Sequence, residues 1–196
     1  MFPQSACGHF GLLQTSAFSP LRSHRHPRAM NIVLVEPEIP PNTGNVARLC
    51  AATRTKLHLI EPFGFKLDDA QLKRAGMDYW RQVTWHRWRN WTDFSAALAP
   101  DARVWFIESG GPKSYAEVQY GANDYLVFGR ETAGLPRRLL EENAERWLRI
   151  PMFNPEARSL NLSNCAALVL FEALRQQGFV GEWSGAGEES RAPDGL

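Results

Sequence analysis

NIVLVEPEIPPNTGNVARLC, residues 31–50, changes its hydrophobic period half-way along, and that change decides the fold class. Asn31–Val35 is a short apolar run of the kind that forms a buried strand. A turn at Pro40-Pro41-Asn42-Thr43-Gly44 follows, after which Val46, Leu49, Cys50 and Thr53 fall on one face of a helix. The same alternation recurs down the chain. Leu57–Ile60, Val83–His86, Val104–Ile107, Tyr125–Phe128 and Trp147–Ile150 read as further strands. Asp68 caps a short helix to Arg74, and Thr92 or Asp93 opens one through Leu98. Pro136–Asn143 is a helix with Pro in its first turn, and Ser159–Gln177 is a long helix ended by Gly178. Strands alternating with helices predict an α/β domain with a mostly parallel sheet and helices on both faces.

The 196 residues suit one such domain, expected over residues 30–179. Residues 1–29 hold Pro3, Pro20, Pro27 and a basic cluster from Arg22 to Arg28, with no acidic residue. They read as a disordered extension, either a targeting peptide or the product of a start upstream of Met30; the second is the expectation. Residues 180–196 are expected to be a flexible tail. The formal net charge of +1 leaves a nucleic-acid partner to be argued from local patches alone. No apolar run reaches the ~18–20 residues that span a bilayer. Cys7, Cys50 and Cys165 are far apart and show no CxxC spacing, which suits a reducing cytoplasm and offers no metal framework.

Several common chemistries are missing from the sequence. There is no GxGxxG after a strand, no Walker A and no GxSxG. His9, His24 and His26 lie in the first 29 residues, and His58 and His86 sit in strand-like segments and read as structural. Three polar segments remain. Ile39–Arg48 follows a strand and carries Asn42, Gly44, Asn45 and Arg48; by itself it could be a capped helix start with a solvated arginine. Phe128–Pro136 also follows a strand, and two glycines bracket Glu131; by itself it could be an ordinary strand-to-helix connection. Ile150-Pro151-Met152 leads to Arg158-Ser159-Leu160-Asn161-Leu162-Ser163-Asn164, with more short polar residues than a helix cap requires. Loops at successive strand ends converge on one edge of a parallel sheet, where open α/β folds place their ligands.

At these segments, and at Arg74-Ala75-Gly76-Met77-Asp78-Tyr79-Trp80, the chain resembles the SPOUT methyltransferases and, within them, the TrmH-like ribose 2′-O-methyltransferases. The resemblance runs from Met30 to about Phe179. It implies a C-terminal deep trefoil knot that binds S-adenosylmethionine in a bent form, with no metal. By position, the cofactor would be held by Ile107, Gly129, Glu131, Ile150, Ser159 and Leu160. The functional arginine falls on Arg48, accompanied by Asn42, Asn161 and Ser159. A guanidinium is an unusual base, since it ordinarily holds its proton. Arg48 is therefore expected to orient a phosphate and the ribose hydroxyl and to stabilise developing charge.

The resemblance further implies a homodimer joined through the long C-terminal helix, acting on tRNA at the wobble nucleotide, position 34. The same reaction elsewhere on tRNA or rRNA, and a non-catalytic RNA-binding factor, are the alternatives. RNA contact is expected from Arg48, Arg74, Tyr79 and Trp80, with Lys73 and Arg81 nearby. Trp85, Arg87, Trp88, Arg89 and Trp91 divide evenly between an RNA surface and a core, and Arg137 and Arg138 are lesser candidates.

Overall fold

The computed structural model describes residues 29–66 and 78–182. The expectations for residues 1–28, for the helix from Asp68 to Arg74 and for residues 183–196 lie outside the described residues. Within them, the chain runs β1 (Asn31–Val35), α1 (Pro40–Thr53), β2 (Lys56–Ile60), a 3-10 helix (Asp78–Gln82), β3 (Trp85–Trp88) and α2 (Trp91–Ala96). It continues through β4 (Val104–Ile107), β5 (Lys113–Ser114), β6 (Tyr125–Phe128), α3 (Arg137–Glu141), a second 3-10 helix (Ala144–Arg146), β7 (Trp147–Arg149) and α4 (Leu162–Gln176). The strands form one sheet in the order β3-β2-β1-β6-β4-β7-β5, and every pairing is parallel.

The period of two along each strand builds two cores. In β1, Ile32 and Leu34 face α1 and α4, beside Val46, Cys50, Val169 and Leu170. Val33 and Val35 face the other way, beside Phe94 of α2 and Leu140 of α3. The central strand β6 divides likewise, with Leu126 and Phe128 on the first face and Val127 on the second. Both faces of the sheet are thus covered, as a parallel sheet requires.

Several boundaries differ from the sequence reading. The prolines at 40 and 41 are the first turn of α1 itself, because Pro lacks the N–H that would go unpaired there. The third strand starts two residues late, at Trp85. Helix α2 starts at Trp91 because Asn90 is its cap, accepting from the Asp93 N–H at 2.8 Å. Pro136 is the residue before α3 rather than within it. The long helix begins at Leu162, since Asn161 caps it. The two-residue β5 carries no periodic signal and was not foreseen.

His58 is buried in β2 with both ring nitrogens engaged. The Trp88 indole N–H donates to Nδ1 at 3.2 Å, which leaves Nε2–H to donate to the Asn31 side-chain Oδ1, also at 3.2 Å. Burial, with lesser help from His86 and Lys56, pushes its pKa down from 6.5 to about 4. In this window the unfolded chain takes up a proton that the folded chain refuses. Stability contributed by His58 is therefore complete above pH 6.5 and is lost as pH falls towards 4, by up to about 3 kcal/mol. Urea unfolding across this range should show that decline, and His58→Gln should flatten it; an unchanged slope in the variant would assign the decline to other groups.

Candidate active site

Strands β1, β6, β4 and β7 are neighbours, so the loops leaving their carboxyl ends adjoin one another. Between these loops lies a cleft of about 660 Å³, within the range of small-molecule sites. The six positions expected to hold a cofactor, Ile107, Gly129, Glu131, Ile150, Ser159 and Leu160, all line it. Asn42 and Asn161 line it too. Ile107 ends β4 and Gly129 follows β6; both are buried, while Ser159 and Leu160 are exposed at the mouth.

One hydrogen-bonded chain ties the three polar segments together. The Glu131 carboxylate accepts from the Glu38 N–H (2.8 Å), the Ile39 N–H (3.3 Å) and the Asn42 side-chain amide (2.9 Å). The Asn42 carbonyl oxygen accepts from the Asn161 amide at 2.9 Å. The Asn161 oxygen in turn caps α4, accepting from the Ser163 N–H and hydroxyl at 2.9 and 2.7 Å. Asn42 is 5% exposed, so each half of its amide needs such a partner. Glu38 returns the contact by accepting from the Thr132 N–H and hydroxyl at 3.0 and 2.7 Å, and Glu36 pairs with Arg130. The loop after β1 and the loop after β6 are thereby interlocked.

The glycines of the second loop are sterically required. A Cβ on Gly129 would meet the Gly134 carbonyl carbon at 2.2 Å. Gly134 has φ +66° and no room for a Cβ beside the Glu108 carboxylate, which accepts from the Leu135 N–H at 3.0 Å. Glu36, Glu38 and Glu108 were not among the expected residues. The available signal was an acid directly or closely after a buried strand, at the same sheet edge as the three segments.

Arg48 does not line the cleft. Helix α1 turns Asn42 inward and carries Arg48 on its exposed face with Pro41 and Asn45, about 9 Å further along the axis. Among the expected RNA contacts, Lys73 and Arg74 lie outside the described residues, and Tyr79 falls in the first 3-10 helix. Trp80 is half-buried, its ring 4.7 Å from that of Trp85, and both pack on the α1 side of the core. Trp88 and Trp91 pack on the other side. The tryptophans of this stretch are partly buried and pack against the two cores, while Arg87 and Arg89 stay exposed and pair with Glu61 and Asp93. Arg137 and Arg138 pair with Glu141 and Glu142 one turn on.

Residues 29–171 match the family described as SpoU rRNA Methylase. A Saccharophagus degradans protein named tRNA (cytidine(34)-2′-O)-methyltransferase is 54% identical over 154 residues, which is 77% of this chain and 97% of that protein. A solved structure described as "Structural insights into the 2-OH methylation of C/U34 on tRNA" superposes with a TM-score of 0.71 at 43% identity, covering 78% of this chain and 99% of that one. An AdoMet-bound rRNA methyltransferase from Sinorhizobium meliloti superposes with a TM-score of 0.64 at 26% identity, covering 75% of this chain and 56% of that one.

Proposed function

The chain belongs to the SpoU rRNA methylase family, and from that premise we propose that it transfers the methyl group of S-adenosylmethionine to the ribose 2′-hydroxyl of the wobble nucleotide of tRNA. The observation that carries the reaction is the chain Glu131–Asn42–Asn161, which fixes the helix bearing Arg48 against the cleft. The choice of substrate follows relatives named for it.

The cleft's residues suit the cofactor. Ile107, Ile150 and Leu160 offer apolar walls for an adenine, and the loop backbones offer polar groups. Glu108 and Glu131 bring negative charge towards a cationic sulfonium. Bound there, S-adenosylmethionine supplies an activated methyl group. Arg48 stands outside the cleft on the exposed face of α1; there it receives the RNA and orients a phosphate, and it offsets the negative charge that develops on the 2′-oxygen once the bound RNA and the second copy of the chain bring the two sites together. Asn42 and Asn161 hold that helix in register.

The proposal includes a homodimer. Helix α4 exposes Leu168 and Phe171, and Phe179 and Val180 extend the apolar surface beyond it. A second copy of that face would cover it. It also includes a knotted trace: after β7 the chain returns past its neighbours so that α4 packs on α1 and β6. Among the described residues no helix is long and apolar enough to cross a membrane, and we place the enzyme in the cytoplasm with its tRNA.

The test is incubation with labelled S-adenosylmethionine and bulk RNA, followed by nuclease digestion and mass spectrometry. A 2′-O-methyl nucleotide at position 34 is expected. A methyl at another position would move the substrate to a different tRNA site or to rRNA, and no transfer at all would leave a non-catalytic RNA-binding factor.

A further inference from the structure

Phe153 is 97% exposed, an expensive position for a large apolar ring. It is held there by a defined turn, in which the Asn154 side chain accepts from the Glu156 N–H at 2.9 Å and the Asn154 carbonyl accepts from the Ala157 N–H at 3.1 Å. On either side of it in sequence, Met152 and Arg158 line the cleft. An unburied aromatic therefore stands at the rim of the pocket that takes the methyl donor, with a guanidinium in the same loop.

Transfer to a ribose hydroxyl constrains what occupies that rim. The 2′-oxygen must reach into the cleft, and the base is attached to the adjacent ribose carbon. The base of the same nucleotide consequently lies outside the pocket, close to its edge. To bring its hydroxyl there, the nucleotide has to leave the stack of its neighbours, and a base taken out of a stack regains energy on an aromatic face. We infer that Phe153 is the platform on which the base of the target nucleotide stacks, with Arg158 contacting the adjoining phosphate. This rests on the RNA ribose-methylation reading above. A stacking platform reads the π-face and not the hydrogen-bonding edge. It would accept either pyrimidine, in keeping with a neighbour described for both C34 and U34.

The full-length chain, Phe153→Ala and Phe153→Tyr are compared in steady-state transfer to tRNA, with sedimentation of each protein and titration with S-adenosylmethionine alone. A second readout is the fluorescence of an anticodon stem-loop carrying 2-aminopurine at position 34. Phe153→Ala is expected to raise KM for tRNA by roughly tenfold, with less effect on kcat and none on cofactor affinity. Binding should leave the 2-aminopurine quenched with wild type and with Phe153→Tyr, whereas with Phe153→Ala the unstacked base should brighten. An unchanged KM and quench in Phe153→Ala, beside an active wild type, would overturn the platform alone. So would dissociation of Phe153→Ala into single chains, which would make the ring a contact between copies. An inactive wild type would overturn both this inference and the reading it rests on.

Discussion

Arg48→Ala is expected to lower single-turnover methyl transfer by at least about a hundredfold while leaving the fold intact. The size follows from what an oriented cation contributes in a transition state that develops negative charge on oxygen, roughly a hundred- to a thousandfold. The intact fold follows from position: Arg48 is on the exposed face of α1, whereas Asn42, Val46, Ala47 and Cys50 make the packing. Arg48→Lys is expected to recover little, because an ammonium cannot bond a phosphate and a hydroxyl with the planar fork of a guanidinium. Circular dichroism and urea midpoints close to wild type must accompany the loss. A variant that unfolds would make Arg48 a structural residue, and one that transfers normally would remove it from the reaction.

Glu131→Ala should impair stability and transfer together. Its carboxylate is the acceptor for two backbone N–H groups and for the nearly buried Asn42 amide. Removing it leaves those donors unpaired, at a cost of about 3 kcal/mol. Without that anchor α1 is no longer fixed to the cleft wall. A displacement near 1 Å at the reacting groups is enough to slow transfer by roughly a hundredfold. Glu131→Gln retains the shape and one acceptor, and is expected to recover part of the stability. If Glu131→Ala lost stability yet transferred methyl normally, the residue would serve the fold only.

The architecture was legible because a buried parallel sheet writes itself as short apolar runs between helical stretches. Asn31–Val35, Val104–Ile107 and Tyr125–Phe128 were read to the residue. Boundaries failed where capping overrode periodicity, at Asn90 and Asn161, and where two prolines read as a turn became a helix start. In the cleft, the expected residues could be placed because their loops leave adjacent strands. The roles within it were less visible. Glu131 spends its oxygens on the first segment, a partnership across about ninety residues that spacing cannot reveal. The tryptophans from Trp80 to Trp91 were ambiguous for a different reason: an aromatic beside an arginine has the same composition on an RNA surface and at the rim of a core.

The hydrogen bond between Asn42 and Asn161 spans 119 positions, and this governs when during synthesis the catalyst can exist. Helix α1 emerges early and its partner is among the last parts of the domain to leave the ribosome. The sheet adds to the delay, since every pairing is parallel and joins distant segments, a topology that folds slowly. A nascent chain that has made α1, and even the Glu131 loop, still lacks the far end of the network. No shortened product ending before α4 can assemble the cleft, so the cell gains methyl transfer only from chains translated through that helix.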